Sequence, residues 1–207
     1  MQINKKATSI IEAMVVLLIV VSWVTGMYSI FTKSIKLSDS TENKLHAIEI
    51  AKQWIEGFTN IRDTNWLRFS SDIDNCWNTM NYDARCIWWS GTDIPDNWHF
   101  IIYKNTSNNW EIEEKTVPNY NYNNSNYRTE YRVWLDNKWI YTQNGTLTNL
   151  NNIINELKPI FTREIRTKYS DTNDPKLEVT SLVQWVDSSS NEIQKVELNK
   201  TLTNWKK

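Results

Sequence analysis

The sequence predicts an α+β fold in which one long N-terminal helix, membrane-spanning in its first half and amphipathic in its second, packs on a mostly antiparallel β head. Three observations carry that expectation. An almost unbroken apolar run extends from Ala13 to Phe31. Apolar residues then recur at helical spacing from Leu45 to Ile61. From Phe100 onward, short runs rich in aromatic and β-branched residues alternate with turn signals. A chain of 207 residues, 40% hydrophobic and 13% aromatic, suits one domain plus an appendage, and disordered chains lack aromatics at that level. Lys and Arg number 23 against 24 Asp and Glu, for a formal charge of −1. That balance argues against nucleic acid as a partner, which selects for a basic surplus.

Taken in order, residues 1–7 are short and polar, with Lys5 and Lys6 just ahead of the apolar stretch. Residues 8–35 form the first helical segment, whose nineteen-residue apolar run spans about 28 Å at a rise of about 1.5 Å per residue, close to a bilayer's hydrocarbon core. The two lysines predict that the N-terminal end stays cytoplasmic and the rest is exported. Residues 36–62 continue the helix. Leu45, Ile48, Ala51, Ile55, Phe58 and Ile61 lie on one stripe, with Ser38 to Thr41 as a cap, a break or a polar patch. Asn60 to Trp66 end the pattern, and Arg62, Asp63 and Arg68 read as solvated or paired charges at a helix end.

The head, residues 63–207, reads as strands at 100–103, 110–113, 130–135, 140–142, 160–169, 177–186 and 193–198, with a short helix over Leu147 to Leu157. The alternation of Val179, Ser181, Val183 and Trp185 with Thr180, Leu182 and Gln184 predicts a strand covered on both faces. Asn119 to Tyr127 reads as an exposed loop, the place where partner contacts tend to sit. Glycine numbers only 4 against 12 tryptophans, where average usage gives about 14 glycines. Translating UGA as Trp, in a lineage that reads it as Gly, produces such a skew. Trp54, off the stripe, and Trp98 and Trp139, beside turn residues, are the positions where glycine fits better.

Glu12 is the informative residue of the first segment. A carboxylate in an apolar helix costs up to about 3 kcal/mol at a membrane's centre on insertion scales, which favours a paired state. Around it, the chain resembles the N-termini of type IV pilins and type II secretion pseudopilins: a short basic leader, a small residue at the cut, then an apolar stretch broken only by a Glu. Counting back from Glu12 makes Thr8 the first mature residue and Ala7 the last leader residue. The family prefers Gly where this chain has Ala7 and Phe where it has Thr8.

The resemblance implies that a prepilin peptidase cuts between Ala7 and Thr8 and methylates the Thr8 amine. It also implies that Glu12 neutralises the N-terminal amine of a neighbouring subunit during assembly. The function implied is that of a structural subunit of a type IV pilus or a secretion pseudopilus. Its partners would be other pilin-like subunits, the peptidase, the inner-membrane assembly machinery and membrane lipid, with the head outside the cytoplasmic membrane. Two other readings stay open. One is an uncleaved anchor carrying an extracytoplasmic module that binds carbohydrate or protein. The other is a signal peptide cut after Val24-Thr25-Gly26.

Chemistry is sparse. Cys76 and Cys86 are expected to close a disulfide in an exported chain, worth about 2–3 kcal/mol in the chain-entropy model. Neither His46 nor His99 has a ligand or nucleophile at useful spacing, and no catalytic motif is present. Asp72 to Asn75 and Asp171 to Asp174 read as turns, not calcium loops. The sequence therefore predicts no enzyme, no cofactor and no metal site.

Overall fold

A computed structural model describes residues 10–88, 93–105, 107–136, 141–143, 153–155, 160–169, 176–187 and 190–204. Ala7, Thr8, Trp139, Asp171 to Asp174 and most of the stretch from Leu147 to Leu157 lie outside them. The chain divides into two units, Met1–Glu42 and Asn43–Lys207. One helix, α1 (Ile10–Arg68), runs through the boundary and continues past the turn-like residues from Asn60 to Trp66.

The described part of the first unit, from Ile10, is helix alone. Large apolar side chains stand exposed along it, from Ile10 and Ile11 through Leu17, Trp23 and Tyr28 to Phe31 and Leu37. The second unit is α1 from Asn43 onward, laid on an antiparallel sheet of five strands in the order β2-β1-β6-β7-β8. These strands are β1 (His99–Lys104), β2 (Trp110–Glu114), β6 (Thr162–Tyr169), β7 (Lys176–Val186) and β8 (Ile193–Thr203). A smaller sheet, ordered β4-β3-β5, joins β3 (Trp134–Asp136), β4 (Tyr141–Thr142) and β5 (Ile153–Asn155). Two short helices, α2 (Ile73–Cys76) and α3 (Ser125–Glu130), complete the fold. The α+β class follows as the sequence predicts.

The helix meets the sheet one position round from the predicted stripe. Ala47, Ile50, Ala51, Trp54, Gly57, Phe58 and Ile61 are buried, whereas Leu45 is 62% exposed. The reason is steric. A Cβ on Gly57 would lie 3.1 Å from the Trp110 ring and 3.3 Å from the Ile102 side chain, so a larger residue there would have to push those side chains aside. Small residues set the contact line, which a pattern of large apolar residues misses. Opposite them stand Phe100, Ile102, Ile165, Val179 and Val183, completing one core.

Trp54 overturns the expectation of an exposed, functionless aromatic. It is fully buried, edge-on to Trp110 with ring centroids 5.4 Å apart, and the Arg163 guanidinium lies 3.2 Å from its ring centroid. Its indole N–H, however, has no acceptor. Trp98 is not at a left-handed position either. Outside glycine, positive φ falls on Asn81, Tyr82, Asn97, Asn108 and Asn191. Asparagine tolerates that region better than other non-glycine residues. Four asparagines thus take left-handed positions that glycine would ordinarily fill.

Other local expectations change as well. Glu130 ends α3 and is not in a strand, and Ile153–Asn155 is strand β5 where a helix was expected. The segment 119–127 is not a free loop. Tyr122 and Tyr127 pack with Ile101, Val117 and Tyr131 into a second core on the sheet face opposite α1. That segment is what covers the second face of β7, at Val186, so both faces of β7 are covered over part of its length. Cys76 and Cys86 form the expected disulfide, Cα atoms 5.2 Å apart, beside buried Phe69.

Removing the Trp54 ring forfeits core packing worth about 3–5 kcal/mol, while relieving an unpaired buried N–H returns about 1–3 kcal/mol. Packing wins, so a Trp54→Gly chain should melt lower than the chain as written. Equal or higher melting would mean that the site suits glycine.

Candidate functional site

Two places concentrate chemistry, one in each unit. In the first, α1 from Ile10 meets the length and composition needed to cross a membrane, with a mean hydropathy of 2.3 over its most apolar window. Three hydroxyls within it are satisfied by the helix itself. Ser22 donates to the Leu18 carbonyl at 2.8 Å, Thr25 to Val21 at 2.9 Å and Thr32 to Tyr28 at 3.1 Å. Such back-bonding hides a polar group from lipid without a partner helix. Glu12 differs. It sits in the first turn, on the exposed surface, and no described residue hydrogen-bonds or ion-pairs with it. A carboxylate favours the positive end of a helix, but that alone does not neutralise it.

In the head, the charged centre is Glu164 on β6. Its side chain is wholly buried, and its Oε1 accepts from Arg166 Nε at 2.8 Å and meets His99 Nδ1. Oε2 accepts from Tyr127 Oη at 2.8 Å and Arg166 Nη2 at 3.0 Å. His99 therefore has a partner, contrary to the sequence reading. That partner lies 65 residues away, where no spacing rule reaches. His99 also stacks on Tyr120 at 3.6 Å between centroids. His46, too, is partnered, through Nδ1 to Tyr141 Oη at 2.9 Å. Beyond His99, an open cleft of about 280 Å³ is lined by Trp98, Arg166, Lys168, Glu178 and Thr180. Its lining sets Arg166 and Lys168 against Glu178 and contains no cysteine or serine.

A second polar cluster lies one residue away on the other face of β6. Arg163 is fully buried and donates through Nε at 3.0 Å and Nη2 at 2.5 Å to Gln143 Oε1. Gln143 Nε2 in turn donates to the Tyr131 and Arg163 carbonyls. These bonds tie β6 to the residue after β4. The cluster is structural in kind, because every group faces another part of the chain. Arg163 and Glu164 were invisible in sequence because their strand was read only for its hydrophobic pattern. A charged pair inside a strand with buried neighbours is the signal that could have found them.

The remaining expected charges are accounted for locally. Arg62 pairs with Asp63 at 2.8 Å, and Arg68 lies over the Tyr82 ring at 4.8 Å. Asp72 accepts from Asn75, and Asp74 from Asn204, consistent with turns. Among the described residues no group of three or more His, Cys, Asp or Glu is placed to hold a metal ion. A scan of protein-family models, a search of curated proteins and a search of solved structures each found no match to this chain.

Buried tyrosines set the pH behaviour of the head. Burial first, then neighbouring carboxylates, raise Tyr103 to about 12 and Tyr141 to about 12. Burial likewise lifts Tyr169 to about 12, and burial beside Glu164 raises Tyr127 and Tyr131 further. Each folded value exceeds the unfolded value of about 10, so the folded state holds its protons more tightly. That stability is complete below about pH 10 and is lost as pH rises toward 12. Alkaline titration should give a late, cooperative rise in tyrosinate absorbance coincident with loss of near-ultraviolet circular dichroism. A gradual rise near pH 10 with the fold intact would contradict it.

Proposed function

We propose that the chain is a pilin-like subunit of a type IV pilus or a type II secretion-like pseudopilus. Its work is assembly, not turnover. The observation that supports this most directly is Glu12, a carboxylate in the first turn of a helix that carries no other charged residue before Lys33 and exposes large apolar side chains from Ile10 to Phe31. A charge there is tolerable when it is paired with an opposite charge and costly when it is alone. The Thr8 amine of a neighbouring subunit, freed by a prepilin peptidase cutting after Ala7 and then methylated, is the complementary cation. Lateral packing of such helices buries the apolar surface that one chain leaves open.

In this reading Lys5 and Lys6 hold the leader on the cytoplasmic side, α1 spans the cytoplasmic membrane, and the head lies outside it. The inner-membrane assembly machinery then draws subunits from lipid into a fibre. The self-satisfied hydroxyls of Ser22, Thr25 and Thr32 suit a helix that lives first in lipid and then among copies of itself.

Tandem mass spectrometry of the N-terminal peptide from native membranes tests processing. The expected peptide begins at Thr8 with a methylated amine. An intact Met1 would favour an uncleaved anchor for a binding module, and a start at Met27 would mean a secreted domain. A Glu12→Ala chain should still insert in the membrane yet be lost from sheared filaments. Undiminished incorporation of that variant would remove Glu12 from the mechanism.

A further inference from the structure

The five-stranded sheet ends in β2 on one side and β8 on the other, and the chain treats these edges differently. On β2, the Asn81 side chain donates to the Ile112 carbonyl at 2.7 Å and accepts from the Ile112 N–H at 2.6 Å. One side chain thereby occupies the outward-facing pair at the middle of the strand. β8 has no such cover. It is 11 residues long and pairs with β7 from Ile193↔Val186 to Thr203↔Lys176 without a register shift. Among the described residues no backbone hydrogen bond reaches its outer side. A long regular edge is a template for pairing, which proteins usually blunt with a proline, a bulge or charge. β8 contains no proline and no bulge. Lys195, Glu197 and Lys200 are of both signs, so a second strand can pair with them as readily as be repelled.

This edge carries Asn199-Lys200-Thr201, the acceptor pattern for N-linked glycosylation. The count of such triplets decides nothing. With 26 Asn and 36 Ser or Thr in 207 residues, composition alone gives roughly four to five of them. Four occur, at Asn105, Asn123, Asn144 and Asn199. Placement separates them. Asn105 is tied down, its Nδ2 donating to Glu111 at 2.7 Å and its Oδ1 accepting from the Ser107 and Asn109 N–H groups. Asn144 lies outside the described residues, and Asn123 is exposed in a turn, where no open edge needs cover. Asn199 and Thr201 are exposed on one face of β8, alternating with the half-buried Leu198 and Lys200. No described residue hydrogen-bonds the Asn199 amide.

A third observation lies one strand away. Thr180 opposes Asn199 in the β7–β8 ladder and also lines the open cleft beyond His99. Opposed residues share a face. Arg166, Lys168 and Glu178 in that cleft therefore flank the acceptor with both donors and acceptors, a mixed set that suits sugar hydroxyls.

We propose that Asn199 is an N-glycosylation site and that its glycan covers the β8 edge. The Asn199 Nδ2 attacks the anomeric carbon of a sugar carried on a lipid pyrophosphate. A C–N bond forms and the bond from that carbon to the pyrophosphate oxygen breaks. Its electron pair leaves with the lipid pyrophosphate, and the amide releases one proton. Attachment precedes β7–β8 pairing, because the transferring enzyme must hold the acceptor free of the sheet. In the folded head, an incoming strand would bring its side chain about 4.5–5.5 Å from the Asn199 Cβ, the space that the first sugar fills. The inference rests on export of the head and is independent of assembly.

Peptide mapping by mass spectrometry on the full-length chain from native membranes tests this. The Asn199 peptide should carry the added mass of a sugar chain in most copies. Thr201→Ala should abolish that mass although Asn199 remains, and Thr201→Ser should keep it. On mild heating in nanodiscs, the Thr201→Ala chain should aggregate several-fold faster than the Thr201→Ser chain. A bare Asn199 in the native chain, or an undiminished sugar mass in Thr201→Ala, would overturn the site. Equal aggregation of the two variants would overturn the covering role. The N-terminal peptide of the same digest reports cleavage after Ala7 separately, so failure of one reading is distinguishable from failure of the other.

Discussion

Apolar surface that one chain cannot cover sets the terms for everything else in this protein. From Ile10 to Leu37 the helix exposes large hydrophobic side chains around its whole circumference, with Val20, Val21 and Val24 each half exposed or more. At about 25 cal/mol per Å² of apolar area, leaving such a surface in water is unfavourable by far more than the net stability of a typical domain. The surface therefore needs lipid or other helices around it. Helical backbone is the one open-ended structure that can sit there, because each N–H finds its carbonyl four residues back. The same requirement explains the hydroxyl groups that bond backward along the helix.

The second half of α1 obeys a different constraint, that of close approach. Ala47, Ala51 and Gly57 bring the helix near the sheet, and Trp54 and Phe58 fill the space on either side. Trp54 also shields Arg163, a fully buried cation whose Nη1 has no partner. A buried guanidinium is unfavourable by several kcal/mol before compensation. Its bonds to Gln143 and its place over the indole ring offset that in part, and they tie the small sheet to the large one. The head thus rests on apolar cores on both faces of the large sheet and on two polar knots, around Arg163 and around Glu164.

Local pattern made much of this legible. The apolar run from Ala13 to Phe31, the helical period after Leu45 and the aromatic runs from Phe100 onward give the element types and most of the strands, because each is written in neighbouring residues. Contact partners were not legible where they depend on tertiary placement. His99 meets Glu164 only because β1 lies beside β6, with His99 opposite Arg166. Likewise, the tyrosines from 119 to 131 read as a polar loop until the bare face of the sheet gives them something to cover. The helix stripe was legible only in part: Ala51, Phe58 and Ile61 face the sheet as expected, while Ala47, Ile50, Trp54 and Gly57 lie on the buried face outside the pattern. Asparagine holds four of the five positive-φ positions outside glycine among the described residues, work that a glycine count alone does not show.

Glu12 and the head then ask for different kinds of neighbour. A carboxylate at the start of an apolar helix needs one cation at one depth. In the proposed assembly, that requirement repeated along a stack of copies would fix each helix axially against the next, whereas apolar packing alone leaves sliding nearly free. Insertion scales put an unpaired charge at a helix centre at about 2.5–3.5 kcal/mol, which is an upper bound for a residue in the first turn. Among the described head residues, Glu164 is held by Arg166, and Arg62 pairs with Asp63. Those charges face their own chain, so in the proposed assembly the axial register of the helices rests on a single ionisable group.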